Sequence, residues 1–121
     1  MKPAAKSDPI ELHLPLTETE FFILLSISSS PKHGYAMMKA VQSLSAGRIS
    51  LGTGTLYGAI KRMLEHGWIM RREEKESGIE TGRIRKMYAL TQQGKDLLQG
   101  EIRRLQTLVQ AARLVKAGHK I

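Results

Sequence analysis

The sequence contains no cysteine. That excludes a disulfide framework, a thiol nucleophile and any cysteine-based zinc site. Long hydrophobic runs are also missing. The longest, Phe21 to Leu25, is far too short to span a bilayer, and no signal-peptide layout precedes it. A cytoplasmic chain without a membrane partner is expected. Motifs for catalysis are absent as well: there is no G-x-S-x-G and no phosphate loop ending in Gly-Lys-Ser/Thr. Gly52-Thr53-Gly54-Thr55-Leu56-Tyr57-Gly58 approaches a dinucleotide fingerprint, but it reads one residue too long and lacks a βαβ unit around it. His13, His33, His66 and His119 are scattered without ligand spacing, so no metal is expected. Arg71-Arg72-Glu73-Glu74-Lys75-Glu76 nets to zero charge and suits a solvated strand and loop better than an acid–base pair. Neither an enzyme nor a cofactor is expected.

What is present is positive charge. Nineteen Lys and Arg stand against eleven Asp and Glu in 121 residues, a formal net charge of +8. Five basic and four acidic residues fall in 1–60, fourteen and seven in 61–121, so the halves carry +1 and +7. A sequence pI near 10.1 points to a polyanionic partner, with nucleic acid ahead of a membrane surface. With 41% hydrophobic and 25% charged residues, the balance is that of one globular domain.

Residues 1–15 carry Pro3, Pro9 and Pro15 with little periodicity and read as a loose N-terminal arm. Thr17-Glu18-Thr19-Glu20 has the form of a capping box, opening a helix that is apolar around most of its girth and is expected to lie centrally. Ser28-Ser29-Ser30-Pro31 ends it. A second helix is predicted from about Gly34 to Ser45, with Met37, Met38, Val41 and Leu44 on one face. A third, about Thr53 to His66, sets Leu56, Ile60, Met63 and Leu64 against an opposite stripe of Gly54, Gly58, Lys61 and Glu65, flanked by Thr55 and Arg62. Glycine inside a helix costs about 1 kcal/mol relative to alanine, so two on one stripe suggest either tolerated weakness or close backbone approach. Gly67 suits the position just past the helix end.

After Gly67 the period changes. Trp68–Glu73 and Ile84–Leu90 are predicted strands, joined by a polar loop. Thr91 then caps a last helix running to about Ala117, without Trp, Tyr or Phe. Its residues Leu98, Ile102, Leu105, Val109 and Ala112 are spaced 4, 3, 4, 3, a coiled-coil seam that Leu97, Leu108 and Val115 widen. Left alone, such a stripe would keep apolar surface wet, which motivates a homodimer. Leu98, Ile102, Leu105, Leu108, Val109 and Ala112 are its candidate interface residues.

The fold class that follows is mainly α with a small two-stranded β-wing (α+β), in the order helix, helix, helix, strand, strand, helix. Two helices joined by a short turn, the second exposing small and cationic residues, fit a helix-turn-helix whose recognition helix enters the major groove. Arg83, Arg85 and Lys86 fall at the return of the two-strand loop, where a wing would lie along phosphates.

Three segments, taken in order, carry a family resemblance. Lys32-His33-Gly34-Tyr35, then Gly54-Thr55-Leu56-Tyr57-Gly58-Ala59-Ile60-Lys61-Arg62, then Gly82-Arg83-Ile84-Arg85-Lys86-Met87-Tyr88-Ala89-Leu90-Thr91 resemble the PadR-like winged helix-turn-helix transcriptional regulators. The single C-terminal helix resembles the short subgroup, some of whose members bind flat aromatic drugs at the dimer interface; a last helix without aromatics does not support such a sandwich here. The resemblance implies a homodimeric repressor that binds operator DNA through helix three and the wing, with the last helix joining the copies; two recognition helices in one dimer then predict a (pseudo)palindromic site. The expected organisation is an arm over 1–15, a winged helix-turn-helix DNA-binding domain over 16–90, and a dimerisation helix and tail over 91–121. The DNA-binding set expected from the stripe, the wing and the resemblance together is Tyr35, Thr53, Gly54, Thr55, Tyr57, Gly58, Lys61, Arg62, Arg83, Arg85 and Lys86. Two alternatives stay open: a winged helix used as a protein-interaction module, and control by a small-molecule effector at the dimer interface.

Overall fold

The computed structural model describes residues 9–75 and 84–120. Helix α1 spans Glu18–Ser26, strand β1 Lys32–His33, α2 Gly34–Leu44, α3 Thr53–His66, β2 Ile69–Lys75, β3 Ile84–Leu90 and α4 Gln92–Lys116. The capping box at α1 is complete. Glu20 N–H donates to Thr17 Oγ1 at 3.0 Å, and Thr17 N–H donates to Glu20 Oε1 at 2.9 Å. Ile23 and Leu24 are fully buried, with Phe21, Phe22 and Leu25 packed around them, so α1 is the central helix its composition predicts.

Met37 and Val41 of α2 are buried and Met38 is partly buried, whereas Leu44 is half-exposed and drops out of the predicted core face. The turn from α2 to α3 is organised by Ser45. Its buried hydroxyl accepts the Ile49 N–H at 3.0 Å, while Ala46 and Gly47 take positive φ values of 55° and 81°. Helix α3 buries Leu56, Ala59, Ile60 and Met63, and it ends where Gly67 adopts φ 79°. There Gly67 N–H donates to the Leu64 carbonyl and Trp68 N–H to that of Met63, the paired bonds of a Schellman stop.

The sheet has three antiparallel strands, not the two expected, in the order β1-β3-β2. Strand β1 is only two residues long, too short to show a period of two, and it exists because the outer edge of β3 offers backbone partners to Lys32 and His33. Strand β2 runs along the other edge of β3 from Ile69↔Leu90 to Lys75↔Ile84. Thr91 locks the start of α4 to the end of α3. Its hydroxyl accepts from Gly94 N–H at 3.0 Å and donates to the Gly67 carbonyl at 2.5 Å. A Cβ at Gly94 would fall on the Trp68 carbonyl oxygen, so only glycine lets α4 cross here.

The described part of the N-terminal arm is docked rather than loose. Ile10–His13 forms a single 3-10 turn against α4, with Ile10 and Leu14 seated over the bare surface at Gly100. Leu16 is buried, and its N–H donates to Glu101 Oε2 at 3.3 Å. The His13 ring meets His66 and Trp68 edge-on, and His66 stacks on Trp68 at 4.7 Å, tying the arm to the end of α3. Among the described residues no helix is long and apolar enough to cross a membrane.

Candidate nucleic-acid interface

The apolar side of α3 is taken up by the core, so its opposite side faces outward. Thr53, Gly54, Thr55, Tyr57, Lys61 and Arg62 are exposed and Gly58 is half-buried. A Cβ added at Gly54 would meet no heavy atom within 4 Å, and one at Gly58 would meet only the Arg62 guanidinium at 3.7 Å. Nothing among the described residues requires glycine at either position. The stripe is a smooth, shallow strip of backbone flanked by two cations.

Helix α2 contributes at its N-terminal end. Tyr35 is 68% exposed, and Lys39, one turn on, holds its ammonium 5.7 Å from the centre of the Tyr35 ring. Tyr57 of α3 is 44% exposed, with its hydroxyl against Gly34 at the start of α2. The third contributor is the sheet. Lys86 is exposed on β3, and its carbonyl accepts from His33 Nδ1 at 3.1 Å, so the imidazole fastens β1 to the wing. Arg85 is placed by its backbone on β3, opposite Glu74, while Arg83 lies outside the described residues.

Arg71 was hidden from sequence reasoning inside a charge run that nets to zero. The register sets it directly across from Tyr88, on the sheet face shared with buried Ile69 and Leu90, and strand alternation from Ile69 is the signal that exposes it. Burial pushes the Tyr88 phenol up from its ordinary value; the nearby Tyr57 adds to the rise and Arg71 opposes it. Arg71 thus lies within electrostatic reach of the place where α3 and the wing meet. Lys39 was missed for a simpler reason: an isolated Lys on a helix carries no spacing signal, while His33 stood inside a segment of the resemblance without being given a role of its own.

Helix α4 divides in two. Leu97 and Leu98 are packed into the chain's own core, Leu98 at 5% exposure, so Leu98 is not available to a partner as the seam suggested. Heptad spacing cannot say whether a stripe meets its own chain or another. Ile102 and Leu105 are half-buried, and from Gln106 to Lys120 every residue is exposed. Leu108 (54%), Val109, Ala112, Leu114 and Val115 therefore ride on a helix end that projects roughly 16 Å beyond its own packing. Phe21 of α1 joins Ile102, Leu105 and Val109 along a groove of about 520 Å³, rimmed by Gln106, Gln110 and Arg113. Nearby, a recess of about 340 Å³ is lined by Leu16, Phe21, Phe22 and Leu105, and by the Glu101–Arg104 ion pair. No group of three or more His, Asp or Glu able to hold a metal occurs among the described residues.

Known structures share this fold. The chain is similar to a PadR family transcription regulator from hypervirulent Clostridium difficile, at 26% identity and TM-score 0.65, covering 79% of this chain and 95% of that one. It is similar in fold to Bacillus subtilis PadR, solved in complex with operator DNA, at 23% identity and TM-score 0.62, covering 73% of this chain and 48% of that one. A PadR-like regulator from Bacillus cereus matches with TM-score 0.66 at 21% identity, covering 84% and 93%. Among curated sequences, an uncharacterized 37.1 kDa protein in transposon TN4556 of Streptomyces fradiae is 34% identical over 84 residues; the match spans 69% of this chain and 22% of that protein. The model of the transcriptional regulator PadR-like family matches residues 23–100, and the chain belongs to that family, one of transcriptional regulators and not of enzymes.

Proposed function

We propose that this chain is a sequence-specific DNA-binding repressor acting in the cytoplasm as a homodimer on a (pseudo)palindromic operator. The observation that carries the reading is the outer stripe of α3. Gly54, Thr55 and Gly58 form a low surface that the chain's own packing does not explain, and Lys61, Arg62, Tyr35 and Tyr57 surround it. In this reading Thr53, Gly54 and Thr55 approach base edges in the major groove, the residues that carry sequence information. Tyr35, Tyr57, Lys61, Arg62 and the wing cations Arg83, Arg85 and Lys86 grip phosphates, and we add Arg71 and Lys39 to that set. The operator complex of Bacillus subtilis PadR supports the DNA ligand.

The exposed half of α4, with the groove at Phe21, supports pairing of two copies through Ile102, Leu105, Leu108, Val109 and Ala112. Two recognition helices then address half-sites separated by roughly one helical turn, ~34 Å. Occupancy of such a site represses by excluding the transcription machinery. Sedimentation of the free protein, followed by footprinting on a bound site, tests the reading. A dimer with two symmetric protected half-sites is expected; a monomer protecting one half-site contradicts it. The recess beside the Glu101–Arg104 pair favours a second element, control by a small effector, because about 340 Å³ is in the range of small-ligand pockets. A ligand that raises the melting temperature and changes operator affinity supports it; ligands that do neither count against it.

A further inference from the structure

We infer that Gly34 and Tyr57 are positioning residues: their contact sets the angle of α3 against α2 and the wing, and so the chain's discrimination between operator and bulk DNA. The inference rests on the DNA-binding reading above. Gly34 is the first residue of α2 and is buried. Its backbone is helical and φ is not positive, so no conformational demand calls for glycine. The demand is for space. A Cβ at this position would fall on the Tyr57 hydroxyl, with Cζ at 2.8 Å and Cε1 at 3.4 Å.

The start of α2 is held from the other side too. Lys32 and His33, immediately before Gly34, pair with Tyr88 and Met87 of β3, and His33 Nδ1 donates to the Lys86 carbonyl at 3.1 Å. The Tyr57 phenol lies near enough to Tyr88 to act on it electrostatically. One ring therefore links α3 to α2 at Gly34, with Tyr88 of β3 within electrostatic reach. Tyr57 is 44% exposed, so a methyl group at Gly34 displaces the phenol from its seat at the start of α2, and the contact that spaces α3 from α2 and the wing is lost.

The consequence for DNA is selective. Long Lys and Arg side chains re-aim at phosphates after a small tilt of α3, whereas Thr53, Gly54 and Thr55, which are short or bare, cannot follow base edges. Discrimination falls while non-specific affinity stays.

The test measures wild type, Gly34→Ala, Tyr57→Phe and the double variant, each for operator affinity, bulk-DNA affinity at the same salt and melting temperature. Gly34→Ala is expected to lower operator affinity by about tenfold or more, with bulk-DNA affinity changed by less than about threefold. Tyr57→Phe removes the atom nearest the new methyl; its lost phosphate contact lowers operator and bulk-DNA affinity alike, so relative to Gly34→Ala the double variant is expected to recover part of the operator-to-bulk ratio and of the melting temperature. Effects that simply add, or Gly34→Ala binding its operator like wild type, overturn the inference. Should Gly34→Ala fail to fold, Tyr57→Ala opens space instead of crowding it; it is expected to lose discrimination, and retained discrimination overturns the role. Wild type that selects no operator overturns the DNA-binding reading and this role together; wild type that selects one while the variants add overturns this role alone.

Discussion

Glu101→Gln tests how the N-terminal segment is held to α4. The Glu101 side chain is 3% exposed, and its two oxygens receive three bonds: Leu16 N–H at 3.3 Å, Arg104 Nε at 2.7 Å and Arg104 Nη2 at 3.0 Å. Glutamine has nearly the same shape, so packing is preserved. It converts one buried oxygen to an NH2 group, and a donor then faces a donor in either orientation of the amide. Loss of charged hydrogen bonding at a buried site costs about 1.5–3 kcal/mol. In a chain of 121 residues each kcal/mol moves Tm by roughly 3–6 °C, so a fall of roughly 6–12 °C is expected for a loss near 2 kcal/mol. Thermal melts at matched protein concentration measure it, because association also shifts Tm. Hydrogen exchange at the Leu16 amide should accelerate in the same variant. A Tm within about 2 °C of wild type, with Leu16 still protected, would refute the clamp.

Three further outcomes follow from the same geometry. Gly67→Ala forces a Cβ into the left-handed region at φ 79° and should cost about 1–2 kcal/mol in denaturant unfolding, with DNA contacts untouched; no loss would mean the α3 stop relaxes freely. Lys61→Ala, Lys86→Ala and Arg71→Ala should each flatten the logarithmic salt dependence of DNA binding by about one charge without altering sequence preference, and an unchanged slope removes that residue from the phosphate set. Burial favours the neutral Tyr88 phenol in the folded state, so its stabilising contribution is complete below the ordinary tyrosine value near 10 and is lost as pH rises through the raised folded value. Alkaline titration of phenolate absorbance should show one tyrosine ionising late in wild type and missing from Tyr88→Phe; a wild type without the late step would contradict the burial argument.

The helices were legible because their signals are local. Thr17 and Glu20 form the capping box their spacing announces, and Gly67 stops α3 at the residue expected. The α3 stripe followed from the 3.6-residue period, which separates a buried from an exposed side without knowledge of the rest of the chain. What was missed depends on distant partners. Strand β1 is defined by the edge of β3, more than fifty residues away in sequence, and Ile10, Leu14 and Leu16 have no period of their own because α4 supplies the surface they fit. Glu101 looked like any helical carboxylate until Leu16 N–H met it. The α4 seam was visible, but its division into an inner part at Leu98 and an outer part from Leu108 onward was not, since apolar spacing is the same for both.

Selection from a random duplex library, with the recovered pool titrated against salt, tests the central claim most directly. The account predicts a two-fold symmetric motif, with half-sites roughly 34 Å apart, bound far more tightly than bulk DNA and weakening as salt rises. A pool with no shared motif, bound no better than bulk DNA, would contradict it.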